Sequence, residues 1–215
     1  MTLFLGLRLL VRLVVGGLEL GEHLLEERFG VLFDIVVVAT AVIVALVFAL
    51  TVGFGWTLVP YLAFLLLSMA LLVTDLEAFR IVDRLNLAGT AILALVLAIT
   101  ALITGELGAL LRGIGGAASY FAGASLLFIL VRGRGFGAGD VKLAAQLGLF
   151  TAYLGWSVLG WAVFATAMIG GAVALILVLS GSAGRKTELP YGPPMILGAW
   201  SAIAMVGVGA IPVPS

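Results

Sequence analysis

Asp34, Asp75 and Asp140 stand at the edges of long apolar runs, and they are where chemistry is most economically sought in this chain. A charge held at membrane depth costs about 2.5–3.5 kcal/mol on insertion scales, so such residues need a reason to be there. The chain has no cysteine and one histidine, His23, which lies in a charged N-terminal stretch. This removes thiolate nucleophiles and disulfides. It also removes zinc sites built on paired histidines and serine nucleophiles that need a histidine base within the spans. Any hydrolytic chemistry therefore falls to carboxylates. Two of them held close cannot both ionise easily, and one keeps its proton while the other is charged. Asp75 and Asp140 are the candidate pair, with no metal or cofactor required.

These side chains must be positioned by membrane-spanning helices. Of the 215 residues, 63% are hydrophobic and 10% are charged. A soluble domain is closer to ~45–50% apolar and ~25% charged. The excess apolar surface must face lipid, and in lipid a helix satisfies its own backbone. The formal net charge is zero, which argues against a nucleic-acid partner. Apolar runs fall at about 31–53, 56–74, 87–104, 107–131, 141–155, 157–180 and 193–210. The fifth is short. The expected architecture is all-α, a polytopic membrane bundle of about seven spans. Residues 1–30 are expected to form an amphipathic helix at the membrane surface, and 31–215 the membrane-embedded domain.

The connections divide into two sets. Links near 53–56, 105–107 and 151–157 are short, with Glu106 as their one charge. The N-terminal stretch and the links 75–86, 132–142 and 181–192 carry all but Arg112 of the 11 lysines and arginines. The positive-inside rule makes that second side cytoplasmic, and it is the side of Asp75 and Asp140. Trp56, Tyr153 and Trp156 are expected to form an aromatic belt at the opposite edge. Gly115, Ser119 and Gly123 form a small-xxx-small pattern expected to seat a neighbouring helix, with Gly170-Gly171 as a second such site.

Local context leaves two readings of each aspartate. Asp140 lies in Gly135-Phe136-Gly137-Ala138-Gly139-Asp140-Val141-Lys142. It is either an N-cap, which Asp favours, or a reactive group reached through a glycine-lined turn. Asp75 opens Asp75-Leu76-Glu77-Ala78-Phe79-Arg80-Ile81-Val82-Asp83. It belongs either to a solvated interfacial loop or to a site. The two can meet if the second and fifth spans pack together.

Taken together, these stretches resemble the type IV prepilin peptidase family of GxGD aspartyl proteases. Gly137-Ala138-Gly139-Asp140-Val141-Lys142 matches the family's Gly-x-Gly-Asp-x-Lys. Asp75 matches its first catalytic aspartate, with Ile81-Val82-Asp83 at the offset of an Ile-Pro-Asp segment. Pro190-Tyr191-Gly192-Pro193 is similar to a Pro-Phe-Gly-Pro stretch that opens the last span. The resemblance covers roughly residues 30–210. It implies Asp75 and Asp140 as catalytic residues, with Gly137, Gly139, Lys142, Pro190, Gly192 and Pro193 binding substrate or supporting the site. It implies a multi-pass protein of the inner membrane that works at its cytoplasmic face. The implied partner is a prepilin or pseudopilin, cleaved where its short basic leader meets its hydrophobic helix. Val82 replaces the family's proline. The cysteine pairs that larger members carry, linked to N-methylation, are lacking, so a peptidase-only or N-terminally short member is expected. The main rival is a small transporter or channel with Asp140 and Lys142 as an ion site; a non-catalytic scaffold is another. The sequence carries no signal of oligomeric state.

Overall fold

The computed structural model describes residues 31–78, 83–131, 136–180 and 191–212. All regular structure among them is helical. In chain order the helices are α1 (Val31–Val52), α2 (Leu58–Ala78), α3 (Asp83–Thr104), α4 (Leu107–Leu130), α5 (Ala138–Leu154), α6 (Trp156–Leu179) and α7 (Gly192–Gly207). The expected surface helix at 1–30 lies outside the described residues. The chain divides into two compact units, Met1–Ala45 and Leu46–Ser215. In the first, the described part of α1 exposes Val36, Val42 and Ile43, as a helix in lipid does.

Four helices, α2, α3, α4 and α6, are long and apolar enough to cross a membrane, and α7 is a shorter apolar helix. By length and composition these are the helices of a membrane bundle. Helix ends follow the sequence signals closely. Gly53 (φ 79°) and Gly105 (φ 76°) adopt left-handed backbone just after α1 and α3, a conformation that other residues reach only at a cost. The Glu106 amide then reaches back to the Ala101 carbonyl at 2.8 Å.

The short fifth helix is the centre of the unit. Residues 143, 144 and 146–153 of α5 are all buried. A helix of 17 residues is about 25 Å long at ~1.5 Å per residue, shorter than a hydrocarbon core of ~30 Å. It need not match lipid, because its surroundings are other helices.

Its closest neighbour is α4. Methyl groups placed on Gly113 and Gly116 would meet the α5 backbone, at 2.9 Å from the Leu149 carbonyl oxygen and 2.7 Å from that of Gly148. A Cβ on Gly148 would strike the Gly116 carbonyl in return. The two helices thus pack backbone to backbone, as small residues allow where no water drives association. This corrects the expected seam. Gly123 has nothing near it, and Gly115 touches only the Trp156 ring. The paired face of α4 is the one carrying Gly113 and Gly116. Gly170 of α6 receives the Tyr191 ring, while Gly171 is open; α6 instead meets α7 closely where Gly198 lies over Ala162 and Thr166.

At the far end of α5, Arg112 explains its exceptional place in the charge pattern. Its Nε donates to the Ala152 carbonyl at 3.0 Å and its terminal nitrogen to that of Tyr153 at 2.7 Å. A cation is thus held on the negative end of the helix, where the last carbonyls have no partner of their own. Tyr153 is buried here rather than part of a belt; Trp56 and Trp156 are exposed. Arg112→Leu should lower stability by roughly 1.5–3 kcal/mol, the range for a charge-assisted hydrogen bond. Thermal unfolding in detergent would read that loss, and the site, at the other end of α5, should be unaffected.

Candidate active site

Asp75 and Asp140 come to one locality from separate helices. Asp75 lies in the last turn of α2 and Asp140 in the first turn of α5. Both are buried, at 4% and 6% exposure, among largely apolar helices. The carboxyl groups are close enough for the charge on Asp75 to act on Asp140. Two acidic groups 65 positions apart in sequence share one buried locality. In an apolar interior this costs energy, which is why ionisable groups so placed mark candidate functional sites.

Their settings differ. Asp140 is the third residue of its helix, and Gly137 is the N-cap. The Gly137 N–H donates to Asp140 Oδ2 at 2.7 Å, tying the glycine turn to the carboxylate. The plain N-cap reading of Asp140 is therefore corrected: it occupies N3 and reaches back to the cap, as an acidic N3 residue can. Asp75 has the Gly192 amide, at the start of α7, against its carboxyl group. Its Oδ2 is buried with no hydrogen-bond partner.

Helices α2 and α5 do pack together, as the sequence reading required, and they do so through side chains. Between those helices stand aromatic rings: Phe64 stacks on Phe150 at 4.5 Å, and Tyr61 meets Phe150 edge-on at 5.5 Å. The Tyr61 hydroxyl donates to the Phe150 carbonyl at 2.8 Å. Helix α7 bridges to α2, where Trp200 Nε1 donates to Ser68 Oγ at 3.1 Å. Its N-terminus delivers Gly192 to Asp75.

Of the other expected site residues, Gly192 and Pro193 are buried at the start of α7, and the proline suits a first helical turn. Gly137 and Gly139 flank the turn into α5. Lys142 is half-buried in its first turn. Pro190, Ile81 and Val82 lie outside the described residues. Among those residues, no three His, Cys, Asp or Glu side chains gather as a metal site would require.

Tyr191 was not singled out by motif spacing. Its ring packs edge-on against Phe136 at 5.3 Å and fills the notch at Gly170, where a Cβ would come within 2.9 Å of it. Its hydroxyl and that of Tyr120 on α4 lie near enough to Asp140 to sense its charge. One dipeptide, Tyr191-Gly192, thus touches the surroundings of both aspartates. A helical membrane protein with two buried carboxyl groups at adjoining helix ends is the class that these features define.

The sequence comparisons place it more narrowly. The profile of the type IV leader peptidase family matches residues 61–179, more than half of the chain. The chain belongs to that family. It is similar to proteins named prepilin leader peptidase/N-methyltransferase. One, from Aeromonas salmonicida, is 29% identical over 182 residues, covering 80% of this chain and 57% of that protein. Another, from Bacillus subtilis, is 29% identical over 147 residues, covering 68% and 56%. A third, from Pseudomonas aeruginosa, is 35% identical over 78 residues, covering 36% and 26%. The chain thus spans from about a quarter to somewhat over half of these relatives' length. No solved structure matches it significantly.

Proposed function

We propose that this protein is an intramembrane aspartyl endopeptidase that removes the short basic leader from prepilin or pseudopilin precursors. The observation that carries the reading is the buried proximity of Asp75 and Asp140 in a member of the leader peptidase family. The carboxylate of the pair takes a proton from water, and that water's oxygen attacks the scissile carbonyl carbon. The carboxylic acid of the pair donates its proton to the carbonyl oxygen. The tetrahedral species then collapses, the C–N bond breaks, and the leaving amine receives a proton from the pair. The two aspartates act as one titrating unit. Gly137 and Gly139 shape the turn that presents Asp140. Gly192, Pro193 and Pro190 seat the substrate backbone, and Lys142, two residues after Asp140, holds substrate or tunes the charge of the pair.

Residues 31–215 would form the membrane domain of the peptidase, with 1–30 a surface helix. The site would face the cytoplasm from the inner membrane, where the leader of a precursor meets its hydrophobic helix. Purified protein in lipid vesicles, incubated with a prepilin, should release the leader as one discrete fragment. Folded protein that leaves the precursor intact would overturn the reading. Sidedness has its own check. The chain has no cysteine, so single cysteines at Glu77 and at Glu106 report separately. A membrane-impermeant thiol reagent added to intact cells should label Glu106→Cys and spare Glu77→Cys; the reverse pattern would place the site on the other face.

A further inference from the structure

The contact between α3 and α5 carries a cluster of polar side chains. Asn86 and Gln146 are both fully buried. Asn86 and Thr90 lie one turn apart on α3, and Gly139 and Gln146 two turns apart on α5, so each pair shares a helix face. Asn86 Nδ2 donates to the Gly139 carbonyl at 3.5 Å. Thr90 Oγ1 lies 3.3 Å from Asn86 Oδ1 and 3.1 Å from Gln146 Oε1. Gln146 Nε2 is buried with no partner.

One hydroxyl carries one proton, so Thr90 cannot donate to both carbonyl oxygens. Turning the Gln146 amide over resolves the conflict, since its two ends are nearly the same shape. Nε2 then donates to Thr90, Thr90 donates to Asn86 Oδ1, and Asn86 donates to Gly139. The result is a one-way chain that leaves α5 at Gln146 and returns to it at the peptide immediately before Asp140. Each link is long, and each alone is weak. In an apolar interior, however, no water offers these groups an alternative, and linked bonds reinforce one another.

We propose that Asn86, Thr90 and Gln146 are positioning residues that hold the first turn of α5, and with it Asp140, in register against α3. None of the three touches the reacting atoms. They act through the Gly139 peptide. The proposal rests on the peptidase reading above.

Thr90→Val tests it, because valine keeps the shape and removes the hydroxyl at the middle of the chain. The expected result is a kcat lower by ~10- to 100-fold, the scale of a catalytic group misplaced by about 1 Å. KM should be unchanged, since substrate still binds. Thr90→Ser should restore kcat, because it returns the hydroxyl without the methyl. Combining Thr90→Val with Gln146→Leu should cost little more than Thr90→Val alone, as both break the same chain. Amide hydrogen exchange at the start of α5 should quicken in Thr90→Val, a readout that needs no catalysis. If Thr90→Val folds poorly, Asn86→Leu is read in its place. Wild-type kcat in the valine variant, or equal losses in the valine and serine variants, would overturn the proposal. Should the folded wild type leave the precursor intact, the peptidase reading falls instead.

Discussion

Replacing either Asp75 or Asp140 with asparagine is expected to stop leader cleavage while leaving the protein folded. Asparagine matches aspartate in shape but cannot exchange the proton on which hydrolysis depends. A positioned acid or base contributes ~10²- to 10⁴-fold, and losing one member of a pair that shares a proton disables both functions. The double variant should therefore be no slower than either single one. Stability should hold or rise, because burying an amide costs less than burying a carboxylate. Asp140→Asn retains an oxygen to accept the Gly137 N–H, so the turn into α5 should persist. Cleavage by the wild type should be bell-shaped in pH. In acid both carboxyls are protonated and no base remains; in alkali both are ionised and no acid remains. Measuring kcat/KM against pH on a purified prepilin, with unfolding followed in parallel, checks the whole set. Near wild-type cleavage by either asparagine variant would remove the pair from the mechanism.

The largest effect on folding is expected at Gly148. A single methyl there would meet the backbone of Gly116 and lie 2.8 Å from its carbonyl carbon. Flexible side chains yield to such intrusion, but two helix backbones in contact yield only by moving apart. Overpacking of this kind costs ~1–3 kcal/mol, and the backbone obstruction puts Gly148→Ala at the upper end. Gly116→Ala should behave alike, because it strikes Ala152 and comes 2.7 Å from the Gly148 carbonyl oxygen. Gly123→Ala is the control: it lies on the same helix, has open space around it, and should cost nothing. Thermal unfolding in detergent of the three variants separates the face that seats α5 from the one that does not. Equal stability across all three would mean that α4 and α5 do not pack through these glycines.

That contrast shows what the sequence could and could not convey. The helix boundaries were legible because apolar runs end in glycines and charges, and Asp75 and Asp140 stood out against a chain poor in charge. The resemblance named the pair, and the fold brings it together. The face of α4 was not legible. Small residues occur both at 115, 119 and 123 and at 113 and 116, and the choice belongs to Gly148 and Ala152, which lie on another helix. The role of α5 was hidden for a related reason. Its Gln146, Thr151 and Gly148 make it look like a poor membrane span, yet they suit a helix surrounded by protein rather than lipid. The parts of Tyr191 and Asn86 were not legible either, because no periodicity flags a residue whose importance lies in what it touches.

The aromatic pile between α2 and α5 has a geometric consequence. Phe48 lies parallel to Phe64 at 6.3 Å, and Phe64 to Phe150 at 4.5 Å, so flat plates occupy the space that glycines close elsewhere. Stiff rods wedged at one point cannot come flush at another. Those plates thereby hold the backbones of α2 and α5 apart, so it falls to the side chains at the helix ends, the two acids among them, to span the gap between the rods.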